Sequence, residues 1–157
     1  MSVISDIYDE LNTRIDALFT TPNFPANTFK KLVRPKDIVA NESLALNRGY
    51  GWYFGEAINT NRNLSSCGFS IRRPITFVNT IVARGTERDI DIRDTAHKRL
   101  LEDHYVLLAN FEQTPTLLSG KAHMFFETDN GIEDVFDDMK NYLVIQSIYN
   151  VEYFEDF

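Results

Sequence analysis

Few side chains in this sequence are able to do chemistry, and they are scattered. The chain has three histidines, His97, His104 and His123, and a single cysteine, Cys67. His97 and His104 stand seven apart in a stretch patterned as a helix. Seven residues are nearly two turns, so the rings share a side but lie about 10 Å apart along the axis at ~1.5 Å per residue. One zinc ion with bonds of ~2.1 Å cannot bridge that gap; a spacing of three or four is needed. Asp103 and His104 adjoin in sequence, but neighbouring helix residues point about 100° apart and do not face each other. The histidines therefore take structural or surface roles. Cys67 has no histidine near it in sequence and suits a buried, inert thiol. Ser65 and Ser66 lack the G-x-S-x-G nucleophile elbow. Glu133, Asp134, Asp137 and Asp138 in "IEDVFDDMK" lack the spaced oxygen ligands and central glycine of a calcium loop, and fit a solvated acidic loop. "RGYGWYFGEAI", residues 48–58, mixes glycine with aromatics, yet holds neither G-x-x-x-x-G-K-[ST] nor G-x-G-x-x-G. The expectation is a protein that is not an enzyme and has no cofactor-binding, metal-binding or catalytic residues.

Bulk properties narrow the partners. The chain has 157 residues and a net charge of -7, with 43% hydrophobic and 25% charged residues. That length favours one domain, residues 1–157, able to bury a core without staples. The negative balance disfavours a general grip on nucleic acid. "SIRRPITF" does set basic and aromatic residues side by side, as an RNA-binding sheet would, but the overall charge opposes that use. "KKLVRPK", residues 30–36, concentrates four of the 16 Lys and Arg and suits an edge strand with solvated charges. A lone cysteine needs no oxidising compartment. "MSVISDIYDE" has no signal-peptide pattern, and no apolar run approaches the ~20 residues of a membrane span, so a soluble, intracellular protein without a membrane partner is expected.

The elements that must position these residues follow from periodicity. Ile4, Ile7, Leu11, Ile15 and Leu18 fall three or four apart and predict an amphipathic helix over 2–19, with Ser2 or Ser5 as its cap. "TTPNFPAN" ends it, because two prolines cannot continue a helix. "TFKKLVRP", residues 28–35, is a short strand, and "DIVANESLALN" a surface loop. In 48–58, Tyr50, Trp52 and Phe54 point to one side and Gly51, Tyr53 and Gly55 to the other. "NTNRNLSS" is a polar turn. "SIRRPITFVNTIVARG", residues 70–85, alternates for most of its length, with Ile71, Ile75, Phe77 and Ile81 on one parity. Pro74 lacks an amide donor, which predicts an edge position, a bulge or a bend there. Residues 85–94 form a charged connection. A helix over 92–112 follows, with Ala96, Leu100, His104, Leu107, Leu108 and Phe111 inward. "KAHMFFETDNG" is a strand running into a turn at Asp129, Asn130 and Gly131. Leu143, Ile145, Tyr149, Val151 and Tyr153 mark a closing strand over 142–154. The order gives an α+β fold: an antiparallel or mixed sheet with an N-terminal helix and one long later helix packed on it.

That order of elements, "VISDIYDELNTRIDALF", the long "FSIRRPITFVNTIVARG", "DTAHKRLLEDHYVLLANF" and the final "YLVIQSIYNVEYFEDF", resembles the tail terminator and tail completion proteins of long-tailed bacteriophages. The resemblance implies a virion structural protein assembled in the host cytoplasm. Its subunits would form a homo-oligomeric ring, commonly a hexamer, at the head–tail junction. Such a ring caps the tube, contacts the tail-tube and head-connector proteins, and lets DNA pass without specific binding. Acidic walls suit that passage, because they repel phosphate. A closed ring also needs two complementary patches per subunit. From composition, the interface candidates are Arg72, Arg73 and Arg84 on or beside the long strand, Glu87 and Arg88 in the charged connection, and Tyr50 and Trp52 in the glycine-aromatic stretch. Two other readings fit the same features: a different tail or neck subunit such as a tail-tube protein, and a small-molecule binding module with Tyr50, Trp52, Phe54 and Phe69 around an apolar pocket.

Overall fold

The computed structural model describes residues 2–19, 29–32, 46–59, 68–83, 90–137 and 140–156. Cys67, Ser65, Ser66, the segment 33–45 and the connection 84–89 lie outside them. Two helices, α1 (Val3–Phe19) and α2 (Ile90–Gln113), cover a mixed sheet of seven strands among the described residues. The strands are β1 (Phe29–Lys31), β2 (Leu46–Phe54), β3 (Ile58–Asn59), β4 (Gly68–Ala83), β5 (Thr116–Leu117), β6 (Ala122–Asp137) and β7 (Lys140–Asp156). Their order is β1-β2-β4-β7-β6-β5, with β3 also on β4. Only β1 runs parallel to its neighbour. The fold is α+β, with both expected helices in place.

The 3.6-residue period of α1 puts Ile7, Leu11 and Ile15 in the core, with Ile4 and Leu18 at its margin. Ser2 caps it: the Ser5 amide donates to the Ser2 hydroxyl and, at 3.1 Å, to its carbonyl. The Val3 amide, another orphan of the first turn, donates to Glu155 at 2.9 Å and ties the helix to the end of β7. On α2 the inward residues are Ala96, Leu100, Asp103, His104, Leu107 and Phe111. Asp103 was not expected there, and the helix starts at Ile90, inside the stretch expected to be a connection. Ile71, Ile75 and Phe77 of β4 and Tyr149, Val151 and Tyr153 of β7 meet both helices in the main cluster. Lower down, the same strands are apolar on both faces. Val78, Val82, Tyr142 and Val144 are buried on the side away from the helices, with Leu32 and Val135 against them.

Three sequence expectations need correction. β4 is not an edge. It is central, paired to β7 from Gly68 to Ile81 without a register shift and to β2 and β3 on its other side. Pro74 is tolerated because its missing donor falls in a gap. β2 ends opposite Ile75 and β3 begins opposite Arg72. The Pro74 carbonyl turns into that gap and accepts from the Gly55 amide at 2.7 Å. In an antiparallel ladder one residue's N–H and C=O point the same way, so the proline costs no ladder bond. Gly55 suits the contact, since a Cβ there would lie 2.7 Å from the proline Cγ.

Asp129, Asn130 and Gly131 do not reverse the chain. They form a bulge inside β6, which continues to Asp137. The turn chemistry is present but serves the bulge: Gly131 has φ +70°, and its amide donates to Asp129 Oδ1 at 2.8 Å. Glu133, Asp134 and Asp137, expected in an acidic loop, are in the strand instead, with Glu133 and Asp134 paired to Val144 and Leu143, while Asp138 lies outside the described residues.

Candidate interaction surface

Among the described residues the interface candidates do not converge on one surface. Arg84, Glu87 and Arg88 lie outside the described residues. Arg72 and Arg73 are neighbours on β4 and so take opposite faces of the sheet. Arg72 is on the face away from the helices, where it donates to Glu152 at 2.7 Å and its guanidinium lies 5.6 Å from the Phe125 ring centre. Arg73 is half-buried on the helix side and donates to the Gly55 carbonyl at 2.9 Å. Tyr50 offers no surface. It is a core residue whose hydroxyl donates to Asp16 at 2.8 Å, and burial raises its pKa above the ordinary phenol range. Trp52 is half-buried with its ring centre 4.8 Å from that of Tyr8 and 6.1 Å from that of Phe77. Of the four residues expected around an apolar pocket, Tyr50 is thus in the core and Trp52 is packed among the protein's own rings, while the Phe69 side chain lies outside the described ones.

What the structure does place on the open sheet face is a set of exposed apolar side chains, spread over several levels of the ladder. β2 contributes Tyr53, β3 Ile58, β6 Phe125 and β7 Phe154, with Tyr53 at 56% and Ile58 at 60% exposure. Strand alternation sets them there. Tyr53 pairs with Thr76, Ile58 with Arg72, Phe125 with Asn150 and Phe154 with Ser70. All these partners have the parity opposite to the helix-facing residues of their strands. The exposed Arg72–Glu152 pair sits among them. Pairs this exposed contribute little to stability, so its arginine and carboxylate remain accessible to a partner. Periodicity set Tyr53 apart from Tyr50, Trp52 and Phe54, but single-strand patterning does not distinguish a solvated aromatic from a buried one.

A second feature, missed by sequence reasoning, lies under α2. Arg48 of β2 and Asp103 of α2 form a buried ion pair at 2.8 Å, the carboxylate at 1% exposure, with Arg99 Nε also 3.5 Å away. His104 turns the other way, toward Asp129 of β6 at 3.7 Å. Asp103 and His104 accordingly do not pair, as adjacency on a helix requires. Among the described residues no group of three His, Cys, Asp or Glu is placed to hold a metal ion. No helix among them is long and apolar enough to cross a membrane.

Burial dominates both titrations. It lifts the Asp103 carboxyl to about 6, against the pull of Arg48 and Arg99, and it lowers His104 despite Asp129. Between the ordinary 3.8 and about 6 the folded chain holds a proton on Asp103 that the unfolded chain releases. Stability from this group is therefore present at low pH and lost as pH rises through that window; His104 has the opposite sign, losing stability as pH falls. Replacing Asp103 by Asn should shift the unfolding free energy, relative to the native chain, in the variant's favour as pH rises from about 4 to about 6. Urea titrations at pH steps check this. A pH-independent difference would mean that the carboxyl titrates normally.

Comparison with known protein families and with curated protein sequences gives no match.

Proposed function

We propose that the chain is a virion structural subunit of the tail terminator or tail completion type. In this reading it closes into a homo-oligomeric ring, a hexamer, at the head–tail junction. One side of the ring meets the tail-tube protein and the other the head connector, and DNA passes through the centre. The observation that carries this is the open sheet face. Four strands each present a large apolar side chain there, Tyr53, Ile58, Phe125 and Phe154, on the side that neither helix covers. A sheet normally buries both faces or keeps the second one polar. An apolar second face is the mark of a surface that is covered in an assembly. Head-to-tail contacts, which pair this face with a different patch on the next copy, close into rings. A net charge of -7 keeps the lumen from holding DNA.

Light scattering on a size-exclusion column, with negative-stain microscopy of the peak, tests the reading. The native chain should elute as a ring and bind the ends of tail tubes. Tyr53→Ser with Phe125→Ser should give a monomer whose urea midpoint is close to that of the native chain diluted below assembly, because both side chains are exposed in the single chain. A native chain that stays monomeric at high concentration and ignores tail tubes would remove the proposal.

A further inference from the structure

On the opposite layer, α1 and β2 form a groove of about 370 Å³, open to solvent and lined by Ile4, Ser5, Tyr8, Asp9 and Phe54. Helical spacing builds it: Ile4 and Tyr8 form one i, i+4 row, Ser5 and Asp9 the adjacent row, and Phe54 of β2 closes the side. The walls are apolar and aromatic. The Tyr8 ring, 43% exposed, lies 6.2 Å from Phe54 and 4.8 Å from Trp52, centre to centre, and Trp52 meets Phe54 edge-on at 5.4 Å. One carboxylate, Asp9, is among the lining residues, and no cation among the described residues pairs with it.

The same aromatic bench already holds one cation. The Lys31 ammonium lies 5.8 Å over the Trp52 ring and donates to Asn12 of α1. Aromatic faces attract cations through their quadrupole, more strongly where water is partly excluded. Lys31 occupies the Trp52 end; the Tyr8–Phe54 end, beside Asp9, has no such occupant among the described residues.

We infer that this groove is a binding site for an arginine side chain on an extended, basic segment of a partner polypeptide. A guanidinium is planar and weakly hydrated. It stacks on aromatic rings and offers a fork of donors to a carboxylate, which a compact ammonium does not. The Tyr8 and Phe54 rings supply the stacking walls, Asp9 the acceptor and Ile4 the floor for the arginine's methylene stem. The chain's negative charge draws a basic segment in, and the groove selects its side chain. The inference is independent of the ring, since the groove is complete within one chain.

Trp52 is the only tryptophan and sits against Tyr8, so its fluorescence reports on the groove. The full chain is titrated with a short alternating arginine–glycine peptide, with its citrulline counterpart, which is neutral and of the same shape, and with a lysine–glycine peptide. Expected is a saturable change with the arginine peptide alone, weakened about tenfold by Asp9→Asn and by Tyr8→Leu. Glu133→Gln, which removes an exposed carboxylate on β6, should leave it unchanged. No saturable change overturns the site. Equal binding of the citrulline or lysine peptide overturns its guanidinium selectivity. Equal weakening by Glu133→Gln shows diffuse attraction to an acidic surface and overturns the groove. The Tyr8 and Asp9 changes lie on an exposed helix face, and an unaltered urea midpoint confirms that each variant is folded.

Discussion

Arg48→Met should lower the unfolding free energy by about 3–5 kcal/mol at pH 7.5, the loss expected when one member of a buried ion pair is removed. The cost comes from what remains. The Asp103 carboxylate, at 1% exposure, loses the guanidinium 2.8 Å away and keeps only Arg99 at 3.5 Å; its Oδ2 already lacks a partner. With one attractive cation gone, burial lifts its pKa further, and the carboxyl can escape the penalty by taking a proton. The loss in Arg48→Met should therefore shrink as pH falls toward 5. Replacing both partners, Arg48→Met with Asp103→Leu, removes the stranded charge as well. The double variant should recover most of the loss or exceed the native chain. Urea midpoints of the two single variants and the double, at two pH values, measure the cycle. A double variant as unstable as Arg48→Met alone would mean that the arginine acts through packing rather than charge.

That pair also marks where sequence reading stops. α1, β4, α2 and β7 were legible because one face of each is apolar at its own period, and burial against the sheet follows from that pattern. Asp103 breaks the apolar pattern on α2, so periodicity gives no sign of its burial. Its partner is 55 residues away on β2, and nothing local links the two. The central place of β4 was hidden for a related reason. Pro74 marks a missing donor whatever the position of the strand, and only the gap between β2 and β3 shows that the donor is not needed. At Asp129, Asn130 and Gly131 the local chemistry was right and the topology wrong. A positive-φ glycine after an aspartate that bonds its amide serves a bulge as well as a hairpin, and the choice was made by the apolar residues beyond it, Ile132 and Val135, which pair with Ile145 and Tyr142. The exposed aromatics were the least legible. Alternation assigns Tyr53 and Phe125 to a face, but whether that face is covered depends on where the helices pack.

The two faces of the sheet give the sharpest contrast between residues of one type. Phe77→Ala should cost about 3–5 kcal/mol, a large share of the roughly 5–15 kcal/mol that holds a domain together. Phe77 is at 1% exposure, and its ring centre lies 5.3 Å from both Phe111 and Tyr149 and 6.1 Å from Trp52. It thus joins β2, β4, β7 and α2 at one point. No neighbour can collapse into the space, because each ring is held by its own strand or helix, so the cavity term adds to the lost transfer energy. Phe77→Leu keeps much of the volume and should lose distinctly less. Phe125→Ser, one of the pair of changes proposed to break the ring, lies on the other face and should leave the midpoint of the chain diluted below assembly almost unmoved. Urea unfolding followed by circular dichroism would rank the three. If Phe125→Ser proved as costly as Phe77→Ala, the open face would be part of the monomer's own core, and the surface argument for assembly would fall with it.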